Sequence, residues 1–286
     1  MLNSMRRPRT PAYRAVRVLM LLIVIGSAAG FVVRQMSFID QQMIYFPERT
    51  LNATPADVGL DYEDVFLTAS DGVKVHGWHV PGELRTTLLW FHGNAGNISH
   101  RLDNAQRLVR RFGLDIILVD YRGYGLSDGT PDEAGLYLDG LAMYQAALDA
   151  GFASGQVVVF GRSIGAAVAL DVAVKRPVGA LVLESPFLSL PELARRHYPF
   201  VPAALVRTQF DSRRKIARVS APMLVLHGDR DDIVPIAHGR TLFDLAPEPK
   251  RFHTIHGAGH NDTYDVGGDD YWEAWRVFLE GLKVEG

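Results

Sequence analysis

The chain predicts an α/β fold, with an open, mostly parallel sheet of eight strands and helices on both faces. Three observations predict it. Short β-branched or aromatic runs alternate with longer helical stretches. Each run ends in polar or glycine-rich residues, as expected of strands that are buried on both faces and open at their carboxyl ends. One such end, Gly161-Arg162-Ser163-Ile164-Gly165, is a G-x-S-x-G turn between a strand and a helix.

In 286 residues, 48% hydrophobic and 22% charged, the chain has enough apolar material for one large core and falls within the length of a single α/β domain. Met1 to Arg34 holds six Lys/Arg and no acid, which leaves the remainder with a net charge of −8 and no basic patch of the kind nucleic acid requires. With no cysteine, thiolate nucleophiles, disulfides and Cys-type zinc sites are all excluded.

Residues 1–34 read as a basic N-terminus and membrane anchor. Arg6, Arg7, Arg9, Arg14 and Arg17 precede the uncharged run Val18 to Val33. Counted from Ala15 with Arg17 snorkelling, the helix spans about 28 Å, enough for one crossing of a thin bilayer. The competing reading is a cleaved signal sequence, since Ser27-Ala28-Ala29 supplies small residues. In either case the basic flank stays cytoplasmic and the rest of the chain is exported, tethered in one case and secreted in the other. Residues 35–60, with Pro47 and Pro55, form a connector lying along the domain, its aromatic trio Phe38, Tyr45 and Phe46 packed on the domain or at the membrane interface.

The domain proper, residues 61–286, opens with a hairpin. Val65 to Thr68 and Val73 to Val80 flank the turn dipeptide Asp71-Gly72. Strands follow at Thr87 to Phe91, Ile116 to Asp120, Val157 to Phe160, Ala180 to Leu183, Met223 to Leu226 and Phe252 to Ile255. Helices are expected at Ser99 to Phe112, Pro131 to Ala150, Ile164 to Lys175, Ile236 to Leu245 and Tyr271 to Leu282. The second is expected to start with Thr130 as cap, Pro131 in its first turn and Glu133 closing a capping box. A small cap is expected at about residues 185–219, where Phe187, Tyr198, Phe200 and Val201 either form an acyl pocket or pack a short helix.

The chemistry is read at the strand ends. A nucleophilic Ser163 requires a base, an acid to orient it and donors for the oxyanion. His260, in the loop after the last strand, is the base; His256, at the strand's end, has less reach. Asp231 is the acid, three residues past Gly228 and able to point back at the histidine loop, whereas Asp229 and Asp232 are expected to cap a helix or bond within their loop. The order Ser163, Asp231, His260 is that of an α/β-hydrolase. The amides of Asn94 and Ile164 are the expected oxyanion donors, His92 a turn residue, and Arg122 and Asp128 loop-bracing charges. The glycines after Asp120 do not match a nucleotide-binding pattern, and neither a cofactor nor a metal is required: no H-E-x-x-H occurs and a triad needs no ion.

Taken together, His92-Gly93-Asn94-Ala95-Gly96-Asn97, Asp120-Tyr121-Arg122-Gly123-Tyr124-Gly125, Gly161-Arg162-Ser163-Ile164-Gly165, Phe210-Asp211-Ser212, His227-Gly228 and Gly257-Ala258-Gly259-His260-Asn261-Asp262 resemble the BEM46-like group of membrane-anchored α/β-hydrolases, related to the ABHD13 and ABHD17 types. The resemblance covers about residues 41–282 and implies a serine hydrolase with Ser163 as nucleophile, Asp231 as acid and His260 as base. The protein depalmitoylation known among the eukaryotic relatives does not carry over, because they have a cysteine-rich N-terminus. Expected is a membrane-anchored carboxylic ester or thioester hydrolase acting on a small or lipid-like substrate. The alternatives are a peptidase-type serine hydrolase and a catalytically idle interaction module.

Overall fold

Period-two alternation sorts the side chains of each central strand onto two buried faces. The computed structural model describes residues 20, 43–197, 199–200 and 206–282. Its eight-stranded sheet comprises β1 (Glu63–Thr68), β2 (Lys74–Val80), β3 (Thr87–Phe91), β4 (Asp115–Val119), β5 (Val157–Arg162), β6 (Ala180–Glu184), β7 (Met223–Gly228) and β8 (Lys250–Ile255). The spatial order is β8-β7-β6-β5-β3-β4-β2-β1, antiparallel only where β2 meets β1 and β4. In β3, Leu89 and Phe91 enter one core while Leu88 and Trp90 enter the other; in β5, Val157 and Val159 oppose Val158 and Phe160.

Helices α1 (Leu102–Phe112), α2 (Glu133–Asp149), α3 (Ile164–Lys175), α4 (Leu190–His197), α5 (Ser212–Lys215), α6 (Ile236–Leu245) and α7 (Thr263–Leu282) complete the described fold. Leu136 and Met143 of α2 share a core with Val168 and Val172 of α3, whereas Leu102 and Leu108 of α1 share the other with Tyr271 and Trp275 of α7. The helices that follow the neighbouring strands β3 and β5 therefore lie on opposite faces. Their connecting loops diverge, and this divergence opens the crevice in which such sheets bind ligands.

Three boundaries differ from expectation. A 3-10 turn, Ile98–Arg101, capped by the Asn97 side chain on the Ser99 amide, occupies the place expected for the start of α1. α2 is capped by Asp132, whose carboxylate accepts from the Gly135 amide at 2.6 Å. Glu133 closes no capping box with Thr130; its oxygens accept from the Gln209 and Phe210 amides at 2.7 and 2.8 Å and so hold the end of the cap. α7 begins at Thr263, ahead of the expected Tyr271, because Gly268, at φ 51° and ψ −134°, joins two helical pieces through a kink that interrupts the apolar period.

Apart from Met20, the expected anchor, Val18 to Val33, lies outside the described residues, as do Phe38, Tyr198 and Val201. Among the described residues no helix is long and apolar enough to cross a membrane. From Ile44 the connector lies against the domain, with Tyr45 buried and Phe46 half-exposed. In the cap, Phe187 and Phe210 pack edge-on in the core, and Tyr45 meets Phe210 in the same way. Phe187 thus belongs to the packing and Phe200 is exposed.

Arg122 braces the loop after β4. Its guanidinium pairs with buried Asp139 of α2 at 2.8 Å and with Asp71 of the hairpin turn at 2.7 Å. Its own amide also donates to Asp139. Among the described residues Asp128 makes backbone bonds, its amide donating to the Lys74 carbonyl and its carbonyl accepting from Gly123. Since Arg122→Ala would strand the Asp139 charge in the core, a loss of about 3–5 kcal/mol in urea-unfolding free energy is expected; a loss under about 1 kcal/mol would show that the brace is not structural.

Candidate active site

The turn after β5 works only without side chains at its two glycines. A Cβ on Gly161 would stand 2.2 Å from the Gly165 carbonyl oxygen, and one on Gly165 would stand 2.0 Å from that of Phe91. α3 can therefore close directly against the ends of β3 and β5, and Ser163 is held at φ 55°, ψ −119°, a region that costs a non-glycine residue on the order of 1–3 kcal/mol. The Ser163 amide donates to the Glu184 carbonyl at 2.9 Å. Ile164 opens α3, where no intrahelical carbonyl reaches its N–H, and the helix dipole adds partial positive charge there.

Asp231 and His260 meet at the ends of β7 and β8. The imidazole Nδ1 stands 2.7 Å from the Asp231 Oδ2, with both side chains almost wholly buried. The other carboxylate oxygen accepts from the Ile233 and Val234 amides at 3.0 and 2.7 Å, which fixes the turn three residues beyond the strand. Buried His227 lies 3.5 Å from Oδ2 and 2.8 Å from the Val234 carbonyl. Burial works to raise the Asp231 pKa, but hydrogen bonds from His227, His260 and the Val234 amide hold it well below the usual carboxylate range. Bonding within the loop was expected of Asp229, which bonds across it: its oxygens take the His256 ring at 2.9 Å and the Gly257 amide at 2.7 Å, on the surface. Asp232 is exposed, and α6 starts at Ile236, with Pro235 at the N-cap position and no side-chain cap.

The loop after β3 lies on the other side of the elbow, close enough that a Cβ on Gly93 would be 3.8 Å from that of Ser163. His92 is buried within this loop, with Nδ1 2.7 Å from the Gly93 carbonyl and its ring tilted against that of Tyr121, the centroids 4.4 Å apart. Tyr121 and Tyr124 donate to the His92 and Asn94 carbonyls at 2.9 and 2.7 Å.

Arg162 and Glu184 escaped the sequence reading. They are register partners at the ends of β5 and β6, 3.2 Å apart, and Glu184 also accepts from Thr263 and Tyr271 of α7 at 2.6 and 2.7 Å. Arg162 reaches on to the His260 carbonyl and to the Asn261 side chain at 3.3 Å, joining the elbow to the histidine loop. The available signal was period two: Arg162 and Glu184 continue the face of Phe160 and Val182, where a charge must find a partner.

The sheet order and the strand–turn–helix elbow define an α/β-hydrolase fold. A family described as serine aminopeptidase, S33, matches residues 82–207. Protein bem46 of Schizosaccharomyces pombe is 34% identical over 240 residues, 79% of each chain. An uncharacterized membrane protein of Saccharomyces cerevisiae is 33% identical over 235 residues, 79% of this chain and 82% of its own. The Pyrococcus furiosus esterase Pf2001 shares the fold at TM-score 0.70 and 21% identity, over 83% of this chain and 97% of that one. The chain belongs to the BEM46-like α/β-hydrolases.

With its pKa depressed in the fold, Asp231 contributes stability at every pH above the unfolded carboxyl's value near ~3.9, and that contribution drains away as the pH falls toward the folded value. Urea unfolding followed from about pH 5 down to about pH 2 is expected to show a steeper loss for the wild type than for Asp231→Asn; equal slopes would mean that the carboxylate is not specially held.

Proposed function

We propose that the protein is a serine hydrolase that cleaves carboxylic ester or thioester bonds through Ser163, His260 and Asp231. The observation that carries this reading is the buried 2.7 Å contact between His260 and Asp231, on loops tied by Arg162 to the elbow that strains Ser163. With Nδ1 engaged by the carboxylate, Nε2 is the nitrogen left to take a proton from the hydroxyl.

In this mechanism Ser163 Oγ attacks the substrate carbonyl carbon as His260 Nε2 takes its proton, and Asp231 stabilises the imidazolium without accepting that proton. The oxyanion is received by the Asn94 and Ile164 amides, each contributing on the order of 3 kcal/mol to the transition state. Collapse expels the alcohol or thiol, which leaves with the proton from His260, and an acyl-Ser163 remains. Water, deprotonated by His260, then releases the acid and restores the serine.

The esterase among the structural relatives favours ester over peptide, while the serine aminopeptidase family description supports a peptide reading. A panel of p-nitrophenyl esters, thioesters and aminoacyl anilides separates the two by relative kcat/KM. Ser163→Ala is expected to lower turnover by at least about 10³-fold and abolish fluorophosphonate labelling while melting like the wild type; retained labelling refutes the nucleophile.

The residue 1–34 segment tethers the hydrolase domain on the exported side, a reading supported by its arginine-flanked apolar run and by the yeast relative described as a membrane protein. Protease added to intact cells is expected to degrade the domain; protection that ends only on lysis would reverse the orientation.

A further inference from the structure

Oxyanion donors lower a barrier only if their direction is fixed before charge develops. The loop carrying Asn94 cannot fix itself, because it contains Gly93 and Gly96, the latter at φ 79°. We propose that the segment 44–52 is a strap that positions the Asn94 amide, with Tyr124 as a second clamp on the same residue. The proposal rests on the serine hydrolase reading above and assigns it positioning groups outside the triad.

Asn94 is gripped at two of its polar groups. Its carbonyl accepts from the Phe46 amide at 3.0 Å and from the Tyr124 hydroxyl at 2.7 Å. Its side-chain amide donates to the Ile44 carbonyl at 2.9 Å. Phe46–Pro47 forms a two-residue parallel ladder with Ala95–Gly96, extended by the Glu48 amide on the Gly96 carbonyl at 3.1 Å.

A ladder this short has little stability of its own, and the strap is secured further along. Asn97 donates to the carbonyls of Glu48 and Thr50 at 3.2 and 2.7 Å. Gly125 donates to the Glu48 carbonyl at 2.8 Å, and Arg49 donates to that of Ser127. At its start, Tyr45 is buried in the core against Phe210 of the cap. The strap therefore lies between the oxyanion loop and the loop after β4 and is fastened to both. By chain continuity it is also the stretch through which the proposed tether joins the domain.

A displacement of about 1 Å at a catalytic donor can cost on the order of 10²-fold in rate. Phe46→Pro deletes the donated N–H at a half-exposed position that already precedes a proline and so is already extended. With p-nitrophenyl butyrate, kcat is expected to fall by about 10–100-fold, with KM within about threefold and the melting temperature within a few degrees. Phe46→Ala, which keeps the N–H, should stay within about threefold of the wild type. Affinity for a trifluoromethyl ketone, which forms an oxyanion on the serine, should weaken by the same factor as kcat/KM, a parallel that a purely structural role would not produce.

If Phe46→Pro does not fold, Tyr124→Phe decides, with about a tenfold loss expected in both kcat and ketone affinity. Wild-type kcat and ketone affinity in a folded Phe46→Pro or in Tyr124→Phe would overturn the strap while leaving an inactive Ser163→Ala as support for the nucleophile. An active Ser163→Ala would bring down the underlying reading, and the strap with it.

Discussion

The carboxyl edge of the sheet depends on how closely α3 is allowed to approach β3 and β5. Two missing Cβ atoms set that distance, because each would otherwise stand within about 2 Å of a backbone oxygen, a contact that no side-chain rearrangement can relieve. Closing the gap sets Gly165 at the start of α3 against the Phe91 and His92 carbonyls, and Ser163 joins strand to helix with positive φ. The strain is therefore a product of packing, and the strand bonds of β5 and the Ser163 amide bond to Glu184 hold the residue in it.

The same edge contains a buried carboxylate whose loss would loosen several elements together. Glu184 is fully buried at the end of β6, and an unpaired charge there would cost several kcal/mol. Three donors meet it: Arg162 from the elbow, and Thr263 and Tyr271 from α7. Because Arg162 continues to the backbone of His260, the His260 loop is located relative to the elbow as well as to its own strand. Arg122 performs the equivalent task on the opposite side, joining the hairpin turn, the loop after β4 and α2 through Asp71 and Asp139. In both cases one planar guanidinium spans elements that hydrophobic contact alone would leave free to slide.

Much of the fold was legible because its strands are buried on both faces and separated by helices, so apolar run and element coincide, as at Val157 to Phe160. The failures fall where a local choice depends on distant atoms. Asp132 and Thr130 both belong to the residue types that cap helices, and Glu133, which a capping box with Thr130 would need, is engaged by the amides of Gln209 and Phe210. The first turns of α7 were hidden by Gly267-Gly268, whose kink the local pattern cannot distinguish from a loop. At the site, the Asp231–His260 contact follows from loop length and strand order. The Phe46 contact with Asn94 does not, because it pairs residues 48 positions apart through backbone groups, which carry no sequence signal.

The two histidine–aspartate pairs on these neighbouring loops show how environment separates groups of the same chemistry. His256 with Asp229 and His260 with Asp231 have nearly equal contacts, 2.9 and 2.7 Å. The first histidine's side chain is 80% exposed and the second's 8%. Facing water, the first interaction is screened. The second is surrounded by low-dielectric protein, where a charge forming on the ring is felt strongly by the carboxylate and the ring's orientation cannot relax. Asp231 is held by two amides on its other oxygen, so it keeps its position whether the imidazole is neutral or charged. In the mechanism proposed above, a base that must accept a proton and return it in the same orientation requires the second environment, and this, more than the presence of the pair, is the argument for proposing His260 over His256.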